Sequence, residues 1–544
     1  MLAGGFGWLF NPFNRFFLKS SNGYGASVAS SLGRRGIFLS LYVVLLGGTA
    51  FLFNQVPAGF IPTQDKLYLF SGAQLPGGAS LSRTGDVARQ MSDAARSVEG
   101  VELVSDYIGL NALQSVNTPN VSASYVVLKP FSERTRSAAD INAELNEKFS
   151  QIKGGYTYAL MPPPIQGLGN GSGYSLYLKD RAGLGFPALN DALTKLQAEI
   201  AATPGLLYPV TSYQANVPQL EVVVDRVKAK VQGVSVKEIF ETLQTYLGAV
   251  YVNDFNKFGR VYRVMVQADA AYRQKVSDIE NLRVRNSSGA MVPIASVVRV
   301  EQSFGPDPVI RYNGYPAADL IGGTDPQVMS SSEAIKKIAE IAARVLPPGI
   351  ELEWTDLSYQ EVNQSNSAII VFPVAILLVF LTLAVLYESW ILPFSVILIV
   401  PASIFSALLG VWLAGGDNNI FVQVGIVVLM GLACKNAILI VEFARELEMQ
   451  GRETIAATIE ACRLRLRPII MTSIAFIAGS VPLLLGQGAG AEIRLATGVT
   501  VFAGMLGVTL FGLFLTPVFY VAMRKLSGES LARRKEEHLL PDAS

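Results

Sequence analysis

One lysine lies deep inside an apolar segment of this 544-residue chain. Lys435 occurs in the run GLACKNAILIVEF, and the eight residues from it to Phe443 span roughly 12 Å of α-helix. A lysine at that depth of a membrane costs roughly 2.5–3.5 kcal/mol on insertion scales, and such residues usually face a bundle interior on an ion pathway. The alternative is a lysine that tilts toward the surface and has no role.

A lysine inside a membrane needs an anionic partner, and the other apolar runs offer none at matching depth. Glu442 is near the cytoplasmic end of the same run, Glu388 lies in a turn, and Asp417 lies in an external loop. The sequence therefore predicts that the neutralising carboxylate comes from helices outside this chain. It predicts that the spans of this chain form only part of a larger helical bundle.

Three arginines and a threonine lie at the start of the next apolar run, RLRLRPIIMTS. Arg463, Arg465 and Arg467 are typical of the basic residues that flank a span on its cytoplasmic side. Thr472 lies about one turn inside the span, where its hydroxyl could bond a protonatable site or a water. A threonine that bonds its own helix backbone is commoner.

The sequence gives little support for enzyme chemistry or for a metal site. The only histidine, His538, lies in a charged tail, and the two cysteines, Cys434 and Cys462, lie in or beside apolar runs. A disulfide framework, a cysteine zinc site and a histidine relay are therefore not expected. The chain shows no nucleophile elbow, phosphate loop or metal-ligand cluster, so we expect no enzyme and no bound cofactor. A net charge of +1 argues against nucleic acid as a partner.

Lys435, Arg465 and Thr472 are positioned by apolar runs that are long enough to cross a bilayer. One run comes early, a segment of soluble character follows, and five runs come close together at the end. The runs are Gly36–Phe53, Ala368–Leu386, Ile391–Ala414, Phe421–Phe443, Pro468–Leu485 and Ala496–Met523. The aromatic segment Phe6–Phe17 is interpreted as an interfacial helix or as a buried fragment of something longer.

Basic residues orient the spans. They cluster before the first span, between the fourth and fifth, and after the sixth, and six crossings bring all three clusters to one side. The short loops Gly415–Asn419 and Gly486–Glu492 contain no Lys or Arg. The positive-inside rule makes the basic side cytoplasmic and places the large segment outside, which is the periplasm if the cell is Gram-negative.

The large segment alternates predicted strands and helices in the order βαββαβ, the split βαβ unit of ferredoxin-like folds. These elements are Lys66–Gln74, Leu81–Val98, Val101–Tyr107, Ser122–Leu128, Ala138–Ile152 and Tyr156–Leu160. A second unit is predicted from Tyr174–Leu178, Pro187–Ala201, Gln219–Val224, Asp319–Gly322, Ser331–Val345 and Ile350–Trp354. The segment Arg226–Pro308 is predicted to be an insertion with a long exposed hairpin at Tyr246–Val264.

Two stretches could line an adaptable hydrophobic pocket. One is the apolar loop Tyr107–Asn120, and the other is the proline- and glycine-rich stretch from Tyr158 that includes Met161 and Pro162–Pro164. Apolar walls with few polar groups are typical of small-molecule sites. Ordinary loops between core strands are an equally good interpretation.

The motifs GLACKNAILIVEFA and EACRLRLRPIIMTSIAFIAGSVPL resemble the C-terminal half of the hydrophobe/amphiphile exporters of the RND superfamily. So do YVNDFNKFGRVY, LYESWILPFSVILIVP and AGGDNNIFVQVG, and TSYQANVPQ is most similar to the MexF/OqxB branch. The resemblance extends from about Phe6 to about Lys525.

The resemblance implies a homotrimer of subunits with twelve spans each, in which a periplasmic adaptor and an outer-membrane channel join the pump. It also implies that the N-terminal half of the pump completes each subunit. The implied division is an interfacial helix and linker (1–35), a first span (36–56), a third porter subdomain (57–165), a split fourth porter subdomain (166–225 and 309–360), a docking subdomain (226–308), five spans (366–525) and a cytoplasmic tail (526–544).

The resemblance also assigns roles to residues. Lys435, Arg465 and Thr472 match the relay lysine, arginine and threonine of these exporters. Tyr107–Asn120 falls at the switch loop, where Ile108 and Leu110 replace phenylalanines. The remaining matched residues are Tyr125, Tyr158 and Met161 near the drug pocket, and Asn253 and Asn256 in a docking hairpin that reaches a neighbouring subunit.

The expected function is drug/proton antiport at the bacterial inner membrane, with amphiphilic compounds as substrates and the proton gradient as the energy source. Export of heavy metals by the same fold is an alternative, although the outer segment shows no clustered methionine pair for soft-metal transfer. A scaffold, or an inactive fragment without transport of its own, is another.

Overall fold

The structure is a computed structural model that describes residues 7–326, 328–364 and 367–527. Phe6, His538 and all of the predicted tail after Ser527 lie outside the described residues. Two compact units are present: one consists of Tyr213–Ile310 with Pro76–Ser80, and the other contains the remaining outer segments and the membrane helices.

Two helices form the N-terminal part, α1 (Gly7–Gly33) and α2 (Arg35–Gln55). The prediction of a short interfacial helix followed by a linker to residue 35 is wrong, because α1 continues to Gly33. Tyr24, Val28 and Leu32 are spaced four residues apart, so they share one face of the helix. All three are buried in the core of the membrane helices, which is why the chain stays helical there.

The first outer sheet has the predicted βαββαβ element order. Its elements are β1 (Tyr68–Gln74), α3 (Leu81–Arg96), β2 (Val101–Asn111), β3 (Val116–Leu128), α4 (Ala138–Ser150) and β4 (Tyr156–Leu160). The strands lie in the order β2-β3-β1-β4, and every neighbouring pair is antiparallel. Met91 of α3 and Ile141, Leu145 and Phe149 of α4 are buried, so both helices contribute apolar faces to the core.

The segment Tyr107–Asn120 is a hairpin, and the prediction of a loop there is wrong. Leu110 pairs with Asn117 beyond a register shift that follows Ile108. Gly109 lies at that shift with a φ of 87°, a left-handed conformation that glycine adopts without strain. The bulge lets both strands continue toward a tip formed by residues 112–115, so the segment is an extension of the sheet.

The rest of the outer region continues in chain order. Its elements are β5 (Tyr174–Asp180), α5 (Phe186–Ala201), β6 (Leu206–Val210), β7 (Val217–Val224), α6 (Arg226–Val231), α7 (Val236–Leu243), β8 (Val250–Lys257), β9 (Arg260–Val266), α8 (Val276–Glu280), β10 (Arg283–Arg285), β11 (Met291–Pro293), β12 (Val298–Gly305), β13 (Arg311–Tyr312), β14 (Tyr315–Thr324), α9 (Ser331–Val345), β15 (Ile350–Trp354) and α10 (Asp356–Gln364).

The second outer sheet has the order β13-β14-β5-β15, with β6 also paired to β14. The prediction that Gln219–Val224 belongs to this sheet is wrong, because β7 pairs along its whole length with β12 instead. The strand that takes that place is β6, which contains Pro209 and has only five residues. A short strand with a proline carries a weak local signal, so the sequence pattern favours the longer β7.

The unit formed mainly by Tyr213–Ile310 contains the predicted hairpin. Strands β8 and β9 pair from Val250 to Val266, and every residue of β9 is exposed. Phe258 and Gly259 both have positive φ at the turn, as a tight two-residue hairpin turn requires. The ladder β7–β12 and the pair β10–β11 complete this unit.

Within the described residues, the helices that follow α10 give, together with α2, six helical segments that are long and apolar enough to cross a membrane. The helices are α11 (Ser367–Tyr387), α12 (Leu392–Ile397), α13 (Val400–Leu413), α14 (Ile420–Met449), α15 (Thr454–Leu484) and α16 (Ala491–Leu526). The predicted run Ile391–Ala414 is divided into α12 and α13, and α15 begins 14 residues before the predicted Pro468.

Glycines bring the membrane helices close together at particular points. A Cβ on Gly507 would lie 1.8 Å from the side chain of Ser406, and one on Gly504 would lie 2.2 Å from Leu429. Such contacts allow no side chain, so α16 approaches α13 and α14 through these glycines. Gly431 differs, because a Cβ there would meet nothing within 4 Å.

Candidate functional site

Lys435 is on α14, and its ammonium group has an aromatic contact. Nζ lies 4.7 Å from the centre of the Phe476 ring of α15. Among the residues that the structure describes, Lys435 forms no hydrogen bond and no ion pair. A cation–π contact is worth about 0.5–2 kcal/mol, which offsets only part of the cost of a charge inside a membrane.

The side of α14 that carries Lys435 is uncovered. Val424, Val428, Gly431 and Glu442 are exposed, and they follow the helical spacing that includes Lys435. The opposite side is packed, since Cys434, Asn436 and Ala437 are all buried. Lys435 therefore lies at the edge of this bundle, on a stripe that no described helix of the chain covers.

A buried hydrogen bond fixes the two helices beside Lys435. The Asn436 amide donates to the Ser473 hydroxyl at 3.2 Å, and both residues are buried. The bond sets the register of α14 on α15, so it holds Lys435 level with Phe476. This pair was not predicted from the sequence, although an asparagine next to a lysine in an apolar run is a signal of its own.

Arg465 points to a different level of the bundle. Its guanidinium carbon lies 4.2 Å from the centre of the Phe443 ring, and its Nε is buried without a hydrogen-bond partner in the described part of the chain. Phe443 follows Lys435 by eight residues, which is roughly 12 Å along α14. The structure therefore does not bring Arg465 and Lys435 into contact.

The neighbouring arginines have surface roles that distinguish them from Arg465. Arg463 forms an exposed ion pair with Glu460 at 2.9 Å, and its backbone carbonyl accepts a hydrogen bond from the Ser21 hydroxyl of α1. Arg467 lies over the ring of Phe17. Of the three, Arg465 is the one whose buried Nε lacks a partner within the described residues, so it has spare capacity to bind water or a carboxylate.

Thr472 bonds its own helix. Its hydroxyl donates to the Ile469 carbonyl at 3.1 Å, which is the commoner arrangement for a threonine in an apolar helix. Thr472 precedes Phe476 by one turn, so it lies at a level between Arg465 and the ring that contacts Lys435. The three relay candidates are thus ordered along α14 and α15 without direct contact.

The outer candidates do not share one pocket. Ile108 and Leu110 line an open cavity of about 520 Å³. Tyr125 lines a separate cavity of about 180 Å³, together with Tyr68, Phe70, Pro162 and Pro163. The expected single pocket is therefore divided between the hairpin and the proline-rich stretch.

Tyr158 and Met161 have structural contacts. Tyr158 is 3% exposed and packs beside Phe70 in the core, and burial raises the pKa of its phenol. The Met161 carbonyl accepts a hydrogen bond from the Ser172 amide at 2.9 Å. Neither residue is among those that line the two cavities.

Asn253 and Asn256 are exposed on β8, as expected for residues of a projecting hairpin. Asn253 accepts a hydrogen bond from the Asp254 amide at 2.8 Å. Within the described ranges, no cluster of three or more His, Cys, Asp or Glu side chains could hold a metal ion.

A buried ion pair at the ends of two membrane helices was not predicted. Arg524 of α16 donates through Nε to Glu448 of α14 at 3.0 Å, and the two side chains are 8% and 3% exposed. Each residue lies at the charged end of its helix, so sequence patterns indicate surface residues there. The pairing depends on the contact between α14 and α16, which the sequence does not give.

Comparison with known proteins finds relatives over almost the whole chain. The toluene efflux pump membrane transporter TtgB of Pseudomonas putida is 38% identical over 543 residues, which is 99% of this chain and 51% of TtgB. The multidrug export protein AcrF of Escherichia coli (strain K12) is 38% identical over 528 residues, 96% of this chain and 50% of AcrF. The multidrug resistance protein MdtF of Escherichia coli O157:H7 is 37% identical over 95% of this chain and 50% of its own length.

This chain spans about half the length of the curated relatives that it matches. The model of the AcrB/AcrD/AcrF family matches residues 3–524, a range that contains both outer sheets, five of the six apolar helical segments of the described residues and all but the last two residues of the sixth. The chain therefore belongs to the AcrB/AcrD/AcrF family.

Proposed function

We propose that this chain is the C-terminal half of an inner-membrane drug/proton antiporter, which exports amphiphilic compounds and uses inward proton flow. The observation that carries the proposal is Lys435, a cation on an uncovered stripe of α14 with no carboxylate partner among the described residues. The relatives are named as efflux pump membrane transporters and multidrug export or resistance proteins. That naming supports efflux as the activity.

The chemistry of Lys435 accounts for the coupling. A charged ammonium on this stripe is stabilised when a helix with a carboxylate covers it, and the chain spans about half of its relatives. When a proton binds that carboxylate, the ion pair is lost, and one packing of the helices becomes more stable relative to another. Glu442 shares the stripe but lies seven residues away, too far along the helix to pair with Lys435.

Arg465 and Thr472 extend the proposed proton path toward the basic end of the helices. The buried Nε of Arg465 has no partner in the part of the chain that the structure describes, so it can bind a water or a carboxylate that becomes charged as the proton moves. Thr472 can exchange its backbone bond for a bond to water at low cost, because a single such bond contributes about 0.5–1.5 kcal/mol. Thr472 is therefore the less critical of the two.

The outer region supports the porter assignment. The order β2-β3-β1-β4 of the first sheet, with both helices packed against the strands, supports its assignment as a ferredoxin-like unit. We assign this sheet to the third porter subdomain and the second sheet to a split fourth subdomain. Both would lie in the periplasm, because the basic residues favour a cytoplasmic location for the opposite ends of the helices.

The unit of Tyr213–Ile310 is assigned as the docking subdomain. Its hairpin has exposed apolar residues on both strands, among them Val252, Phe255, Val261 and Met265. Exposed apolar side chains of this kind are typical of a protein interface. The hairpin would enter a neighbouring subunit of a homotrimer, and the pump would join a periplasmic adaptor and an outer-membrane channel. Kinship with the MexF/OqxB branch belongs to the same proposal.

Dye efflux in cells tests the proposal. The chain is produced together with the N-terminal half of its pump in a strain without other pumps of this family. We expect Lys435→Ala to abolish efflux, Thr472→Ala to reduce it several-fold, and Arg463→Ala, a matched surface arginine, to leave it close to the parent. Full efflux by Lys435→Ala at normal expression would contradict the assignment.

A further inference from the structure

The tip of the β2–β3 hairpin, residues 112–115, is bonded to the loop between β4 and β5 and to groups on and beside the second outer sheet. The Asn170 amide donates to the Leu113 carbonyl at 3.0 Å, and the Gln114 amide donates to Asp319 on β14 at 3.5 Å and to the Ser212 hydroxyl. The hairpin belongs to the first sheet, whereas Asp319 belongs to the second. The tip therefore connects two sheets that share no strand.

Apolar side chains beneath the tip come from the same two sheets. Phe70 and Tyr158 of the first sheet form one buried cluster with Val210 and Ile321 of the second. Leu110, Ala112 and Leu113 of the hairpin pack against that cluster. A movement of the tip away from the second sheet would expose this junction, and the apolar contacts keep it closed.

Asp319 is the charged group at the junction, and only neutral donors meet it. It is 7% exposed, and it accepts hydrogen bonds from the Ser212 amide at 3.1 Å and the Ser212 hydroxyl at 2.7 Å. The titratable groups that act on it are the phenols of Tyr158 on β4 and Tyr177 on β5. In the described part of the chain, no basic side chain forms an ion pair with Asp319.

Burial makes the charge of Asp319 unfavourable while the junction is closed. Desolvation raises the pKa of the Asp319 carboxyl, and the bonds from Ser212 and Gln114 oppose that rise. If the tip moves away and water enters, the pKa returns toward about 3.9. The closed state therefore binds the proton more tightly, so closure is most stable at low pH and weakens as pH rises toward the raised pKa.

We propose that Asp319, through Ser212 and Gln114, is a positioning residue that makes closure of the junction between the outer sheets depend on proton uptake from the outer solution. Protonated Asp319 is neutral and still bonds Ser212, so the tip stays in place. Deprotonated Asp319 gains hydration when Gln114 and the tip leave. This device goes beyond the proposed antiport, because it acts in the outer region and does not use Lys435.

Distance measurement by electron spin resonance tests the device in the full chain. Spin labels are placed at Ser115→Cys on the tip and at Lys195→Cys, an exposed position of α5 beside the second sheet. Both native cysteines are buried. In the parent we expect a single short distance near pH 4 and a growing population of longer distances toward pH 8.

Variants identify the group that titrates. Asp319→Asn should keep the short distance at every pH, and Gln114→Leu should show the longer distances throughout. Gln114→Glu places a second carboxylate beside Asp319, so the midpoint of closure should move to higher pH. The matched control is Asp191→Asn, which removes an exposed carboxylate of α5 and should titrate like the parent.

Two results would overturn the proposal. One is a parent distance that does not change between pH 4 and pH 8. The other is a transition that keeps the parent midpoint in Asp319→Asn or, if that variant does not fold, in the variant Gln114→Glu of the half-buried tip residue. Because no transport is measured, both results are independent of whether the antiport proposal holds.

Discussion

Replacing Lys435 with methionine should make the chain alone more stable. The substitution removes a charge whose cost inside a membrane is roughly 2.5–3.5 kcal/mol. It also removes the contact of Nζ with the Phe476 ring, 4.7 Å away, which is worth about 0.5–2 kcal/mol. Methionine is similar in length and apolar, so we expect a net stabilisation of about 0.5–3 kcal/mol.

The same substitution should lower the free energy of unfolding when the complementary half of the pump is present. A carboxylate that pairs with Lys435 would then be left buried without its partner, and breaking a buried ion pair from one side costs roughly 3–5 kcal/mol. This reversal of the effect on stability distinguishes a lysine that pairs with a carboxylate of the other half from a lysine that has no partner there. A lysine without any role would give the stabilising effect in both cases.

Steric trapping in lipid bilayers measures the free energy of unfolding of the chain alone and of the chain with the complementary half. Lys525→Met is the matched control, because Lys525 is exposed in the last turn of α16. We expect less than about 0.5 kcal/mol of change for this surface position. A Lys435→Met chain that unfolds more easily than the parent without the other half would refute the reasoning, since it would show that Lys435 is already paired.

Three further predictions concern packing and assembly. Gly507→Ala should destabilise the chain by about 1–3 kcal/mol because its Cβ would lie 1.8 Å from Ser406, whereas Gly431→Ala should stabilise it by up to about 1 kcal/mol; thermal unfolding compares the two. Arg134 forms an ion pair with Asp65, and the two side chains are 3% and 13% exposed. Arg134→Ala should therefore lower the free energy of unfolding by roughly 3–5 kcal/mol, measured by denaturant unfolding. Asn256→Cys should form crosslinks between chains in the assembled pump, and crosslinks only within one chain would argue against the proposed trimer.

The membrane helices could be predicted because their signal is local. A run of about 20 apolar residues needs no partner to be recognised, and α2 and α11 agree with the predicted runs to within two residues. The break between α12 and α13 and the early start of α15 were missed. The residues from Thr454 to Arg467 are polar enough to resemble a loop, but they form a helix that packs against α1 and α14.

Strand pairing was predicted less well than strand position. The segment of β7 was identified as a strand, yet its partner β12 lies about 75 residues away in the chain. Alternation of side chains reports which residues face a core, and it does not report which strand is the neighbour. The hairpin at Tyr107–Asn120 was missed for a related reason, since the bulge at Gly109 interrupts the alternation that indicates a strand.

The candidate relay was predicted in its residues and not in its geometry. The sequence identified Lys435 as a charge deep in an apolar run with no carboxylate at matching depth, because both facts depend only on position in a run. The ring of Phe476 and the bond between Asn436 and Ser473 depend on how α14 packs on α15. Thr472 illustrates the limit, because its hydroxyl could bond either a relay or its own helix, and the structure shows the latter.

The central claim is that proton flow drives export only when a carboxylate on another helix faces Lys435. The direct test is proton-dependent efflux of an amphiphilic dye from proteoliposomes with an imposed pH gradient. We predict no efflux by the 544-residue chain alone, gradient-dependent efflux by the chain together with the complementary half, and loss of that efflux in Lys435→Ala. Proton-dependent efflux by the chain alone would contradict the account.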